Sequence, residues 1–84
     1  MKKKYVKKET LHLLPRDVQV FVFVEAYIKQ HGFAPTLGDI AKEFHTVRQS
    51  IIRNIDRLEK IGCIHRDAHA HRGITLLKSP YSIQ

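Results

Sequence analysis

Residues 36–64, TLGDIAKEFHTVRQSIIRNIDRLEKIGCI, hold two helix-forming segments with room for only one or two residues between them. Helices joined so tightly cannot fold back antiparallel, so their axes must cross sharply, as in a helix-turn-helix. The first segment, Leu37–Phe44, follows Thr36, a good N-cap, and Asp39 supplies a capping box with the shorter acid. The second is expected over 47–61, with Thr46 as its cap and Gln49 completing a Thr-x-x-Gln box before Gly62 stops it. At about 100° per residue, Val47, Ile51, Ile55 and Leu58 share one face, with Ile61 just beyond. Gln49, Arg53, Asn54, Asp56, Arg57 and Lys60 form the polar remainder, with Ser50 on the edge.

The flanking sequence supplies what a helix pair needs to become a domain. Pro15 suits a first helical position, because its missing N–H has no intrahelical partner there. Val20, Phe21, Val24, Tyr27 and Ile28 recur at spacings of three and four, which predicts a helix over 15–30 with one apolar stripe. The β-branched run 18–24 admits a strand as the competing reading, but the stripe continues past it. His31-Gly32 closes this helix and Pro35 prevents its return. Ile40, Ala41 and Phe44 are expected to point inward. Beyond Gly62, Cys63–Asp67 and Gly73–Leu77 read as a β-hairpin, with Ile64, Ile74 and Leu76 turned to the helices. The expected organisation is a basic, mobile arm over 1–12, a domain over 13–78 and a tail over 79–84. The fold class is α+β, three helices and a two-stranded hairpin.

Composition narrows the function. The 84 residues carry a net charge of +7, which favours a polyanionic partner. Five lysines against one glutamate in 1–12 make the arm either a solvated terminus or a strand lying along phosphates. One cysteine excludes a disulfide framework and fits a reducing compartment. The longest apolar run, Val20–Val24, is far too short to cross a bilayer, so the chain is read as cytoplasmic. No Gly-rich phosphate loop, nucleophile elbow or carboxylate pair is present, and no enzyme activity, cofactor or small-molecule ligand is expected. Cys63, His65, His69 and His71 invite a metal reading. They lack the paired Cys-x-x-Cys or helical His spacing of structural zinc sites and are read instead as wing residues.

A two-faced helix in a small basic protein suits the major groove of double-stranded DNA. Gln49, Ser50 and Arg53 sit in its first turns as base readers, with Thr46 at its start. Arg forks onto guanine, Gln pairs with adenine, and Ser or Thr can serve either base edge. Arg48, Arg57 and Lys60 are expected on phosphates, as are Thr36 and the wing histidines His69 and His71. Ile52 lies at the rim, completing the core edge or meeting a thymine methyl. Alternatives are a solvated helix face, a winged-helix module that docks on another protein, and a reader of structured RNA. The deep narrow groove of A-form helices disfavours the last.

These residues resemble the DNA-binding domain of the LexA repressors. The likeness spans Leu13 to Leu77, through LPRDVQVFVFVEAYIKQHGFAPTLGDIA, LEKIGCI and RGITLL, and its most specific phrase is G-F-A-P-T-x-x-x-I-A. It implies a winged helix-turn-helix on operator DNA, acting by repression, of bacterial or phage type. By position it implies base contacts from Val47, Gln49, Ser50, Ile52 and Arg53, and a wing arginine at Arg72. Reading two half-sites implies a homodimer on DNA. Two features depart from the family: the junction Phe44-His45-Thr46 looks one residue shorter, and the reading surface is cationic. LexA repressors continue into a self-cleaving serine–lysine domain, and no cleavage linker or such dyad is expected here.

Overall fold

The computed structural model describes residues 13–81, so the basic arm and residues 82–84 lie outside the described residues. Helix α1 spans Pro15–His31, α2 spans Leu37–Glu43 and α3 spans Arg48–Lys60. Strands β1, Ile64–Arg66, and β2, Ile74–Leu76, pair antiparallel with Ile64 opposite Leu76. The architecture is that of a small α+β winged helix-turn-helix.

Each boundary has a local cause. Pro15 occupies the first turn of α1, and the Leu14 N–H donates to the Asp17 carboxylate at 2.7 Å. Gly32 ends α1 at φ +82°, a left-handed position that glycine takes without a Cβ penalty, and returns its N–H to Ile28 O. The α2 capping box forms as the sequence predicts: the Asp39 N–H donates to Thr36 Oγ1 and the Thr36 N–H to Asp39 Oδ2, both at 3.0 Å.

The cap of α3 does not form as the sequence predicts. Val47, in extended conformation, is the N-cap, and its side chain makes no capping hydrogen bond. Thr46 belongs to the turn instead, where its N–H donates to Ala41 O at 2.9 Å. His45 reverses the chain at φ +54°, a left-handed conformation uncommon outside glycine but tolerated by histidine. The tightness of this turn consumes Thr46, so the Thr-x-x-Gln box is lost. Val47 is correspondingly 63 % exposed and leaves the core face to which helical spacing assigned it.

The core is built where the apolar stripes meet. Val20, Phe21 and Val24 of α1, Ile40 and Ala41 of α2, and Ile51, Ile55 and Leu58 of α3 are buried together with Cys63, Ile64 and Ile74. Ile28, Phe44, Ile61 and Leu76 pack partly buried against them. The α3 helix packs on α1, α2 and β1. The strands are shorter than the sequence suggests, yet pairing continues past both ends, from Asp67 N–H to Gly73 O and from Leu77 N–H to Cys63 O. The hairpin is thereby anchored at the base of α3, with its turn beyond Asp67 projecting away from the core.

Candidate nucleic-acid interface

The outer side of α3 is the surface that this packing leaves open. Gln49, Arg53, Asp56 and Lys60 are exposed, and Ser50 and Ile52 are half-buried at its edges. Exposed Val47 stands at the entry to this face, with half-buried Thr46 before it. The face is polar because the opposite one is not: Ile51, Ile55 and Leu58 are fully buried, which fixes the rotation of the helix. Side chains of the first two turns thus project clear of the protein, with the donors and acceptors that base edges require.

One residue read as part of the polar face faces inward. Asn54 is buried, and its Nδ2 donates to Asp17 Oδ1 at 2.7 Å. Arg57 Nε donates to Asp17 Oδ2, also at 2.7 Å. The Asp17 carboxylate is fully buried and therefore accepts three bonds, from Leu14, Asn54 and Arg57. A buried carboxylate must be paired in this way, because an unpaired charge in the interior costs several kcal/mol. Sequence reading missed this junction. Asp17 lies in the first turn of α1, where an acid is ordinarily explained by the helix dipole alone.

The second cluster joins the hairpin to the α1–α2 loop. Arg72 Nη1 donates to Ala34 O at 2.8 Å and lies 3.4 Å from Asp39 Oδ2. Its guanidinium stacks over the Phe33 ring, 4.5 Å from the centroid. Asp39 also accepts from Tyr27 Oη at 3.3 Å. Its pKa is held below the ordinary carboxylate value, first by the Thr36 backbone N–H and further by the Thr36 hydroxyl, Arg72 and Tyr27, against partial desolvation. Tyr27 stacks on His31 at 4.2 Å, which carries the aromatic contacts on to Phe33.

Between these elements lies an open cleft of about 390 Å³ whose walls include Thr36, Gly38, Arg48, Arg66, His69 and His71, with no acid lining it among the described residues. Arg48 lies across α2: its Nη2 is 3.1 Å from where a Cβ on Gly38 would stand, so only glycine leaves it that path without displacement. Of the residues assigned to phosphates by sequence, Thr36, Arg48, His69 and His71 meet at this cleft, while Lys60 stands apart on the outer face of α3. Arg57 and Arg72 are engaged within the protein. His65, His69 and His71 are exposed whereas Cys63 is fully buried, and among the described residues no group of three or more His, Cys, Asp or Glu is arranged to hold a metal ion. No helix among the described residues is long and apolar enough to cross a membrane.

Residues 11–73 match the family described as the LexA DNA binding domain. LexA repressors are similar over most of the chain. That of Thermosipho africanus is 35 % identical over 71 residues, which are 84 % of this chain and 36 % of the repressor. That of Geotalea uraniireducens is 35 % identical over 66 residues, 77 % of this chain and 33 % of the repressor. That of Pseudothermotoga lettingae is 34 % identical over 79 residues, 94 % of this chain and 38 % of the repressor. The chain therefore spans about a third of the length of these relatives.

Proposed function

The chain belongs to the LexA DNA-binding domain family, and from that premise we propose that it binds double-stranded DNA sequence-specifically and represses transcription by occluding its operator. The observation that carries this reading is the free outer side of α3, which presents Gln49 and Arg53 beyond a tight turn and beside a β-hairpin. In this reading Gln49, Ser50 and Arg53 address base edges in the major groove, with Thr46 and Val47 at the deep end of the helix. Exposed Val47 and half-buried Ile52 offer apolar contact to thymine methyls. Lys60 and the cleft residues Thr36, Arg48, His69 and His71 address the backbone. Two copies bind two half-sites as a homodimer, in the cytoplasm. The role is one of binding, with no catalytic step.

Selection from a pool of random duplexes tests the proposal. An enriched motif, bound with an affinity that falls by about 0.9 log units per log unit of salt for each phosphate neutralised, supports it. Binding without a preferred sequence would instead favour a module that docks on another protein.

A further inference from the structure

We propose that Arg72 is a positioning residue for the hairpin and not a DNA contact, and that its clasp on Phe33, Ala34 and Asp39 sets the width of the cleft that receives the DNA backbone. The proposal rests on the DNA-binding reading above for its occupant, and on geometry alone for the clasp.

Three contacts hold the same guanidinium. One nitrogen donates to the Ala34 carbonyl, the same nitrogen faces the Asp39 carboxylate, and one face of the plane lies on the Phe33 ring. All three partners lie in or next to the loop between α1 and α2, whereas Arg72 comes from the far end of the hairpin turn. The clasp therefore links the projecting hairpin turn to the body of the helix-turn-helix. The ladder pairs the two strands with each other from Cys63 and Leu77 up to Asp67 and Gly73, and the clasp, from the residue before Gly73, ties the turn end of that ribbon to the α1–α2 loop.

An incoming phosphate would find Arg72 a poor site. The Asp39 carboxylate, its pKa lowered first by the Thr36 N–H, stands 3.4 Å from Nη1 and already offsets the guanidinium charge. The cleft beside it is more favourable. Its walls carry Arg48 and Arg66 from opposite sides, with His69 and His71 on the hairpin turn and no acid among the described residues that line it. One wall is the Thr36–Gly38 segment and the other is the hairpin, so the distance between the walls is set by whatever ties hairpin to loop. That tie is Arg72. The planar guanidinium is suited to the task, since it stacks and donates in its own plane at once, which a lysine ammonium cannot do.

Phe33 makes the proposal separable from a direct contact. It is 48 % exposed and lies off α3, so Phe33→Ala removes the stack without emptying the core or touching the reading face. Binding is measured on the duplex selected by the wild-type chain, at fixed salt, for Phe33→Ala, Arg72→Ala, Arg72→Lys and the Phe33→Ala/Arg72→Ala pair. Each single variant is expected to bind about three- to tenfold more weakly, Lys failing to rescue, with the pair no worse than Arg72→Ala alone. Wild-type affinity in Phe33→Ala, full rescue by lysine, or additive losses would each overturn the proposal and return Arg72 to the DNA. A second measurement needs no DNA: backbone ¹⁵N relaxation should show order parameters falling over residues 68–72 in Phe33→Ala and Arg72→Ala while α3 stays unchanged. Unchanged order in the hairpin turn sinks the clasp. A wild-type chain without any preferred duplex sinks the DNA-binding reading instead, and the relaxation result still decides the clasp.

Discussion

On its α1 side, α3 is held by a carboxylate with no solvent exposure, Asp17, which accepts from Asn54 and Arg57 at 2.7 Å each. On the hairpin side, the tie runs through Arg72 and Asp39, both 39 % exposed, at 3.4 Å. Both are arginine–aspartate pairs, joining positions 40 and 33 residues apart in the chain. Burial makes them different devices. Removing a partner of the first leaves a charge or a polar group stranded in the interior. Removing a partner of the second leaves groups that water can solvate at once. The first therefore contributes to whether the domain folds, and the second to where the hairpin stands once it has folded.

The largest expected effect lies on the buried side. Asp17→Ala should cost about 3 kcal/mol, a large share of the stability of a domain of this size, because it leaves the buried Asn54 Nδ2 without its acceptor and removes the partner of the Leu14 N–H and of the partly exposed Arg57. Urea denaturation measures this, and a loss below about 1 kcal/mol would erase the contrast between the two ties. Arg53→Ala is the control facing outward: about 1–3 kcal/mol lost from binding to the selected duplex, with relaxed preference at one base pair and an unchanged urea midpoint. A shifted midpoint would mean that Arg53 is not on a free face. Thr36→Ala, on the hairpin side, should cost about 1 kcal/mol of stability through the lost N-cap, as read by thermal melting.

The smallest expected effect is one of pH and again belongs to the exposed tie. The pKa of Asp39 is lowered in the folded chain, so the carboxylate contributes stability above the unfolded value of about 3.9. That contribution disappears as pH falls through the folded value. Between pH 5 and pH 3 the urea midpoint of the wild type should thus fall more than that of Asp39→Asn. Equal falls would show that Asp39 adds nothing through its charge.

Much of this was legible from residue order. The stripes on α1 and α3, the Thr36–Asp39 box, the glycine stops and the hairpin all follow from local periodicity and capping chemistry, and they are found where the sequence puts them, apart from Val47 and the ends of the two strands. The family likeness was legible in the same segments. The start of α3 was not, because Thr46 is a good cap in isolation, and only the turn at His45 shows that its backbone is already committed to closing α2. Asn54 and Val47 were misread for a related reason. A helical wheel knows polarity and angle, but not that Asp17 waits on the neighbouring helix or that the N-cap residue stands outside the helical geometry.

The order of residues determined the elements, their apolar faces, the sharp bend between α2 and α3 and the excess of positive charge, since each depends on neighbours a few positions away. The fate of the individual arginines was decided only by tertiary packing. Arg53 remains exposed on the outer face of α3, Arg57 is drawn to a carboxylate 40 residues away, and Arg72 is folded back onto the α1–α2 loop. A long cationic side chain carries no local preference for one partner over another. What it binds is whichever acceptor the assembled chain brings within reach.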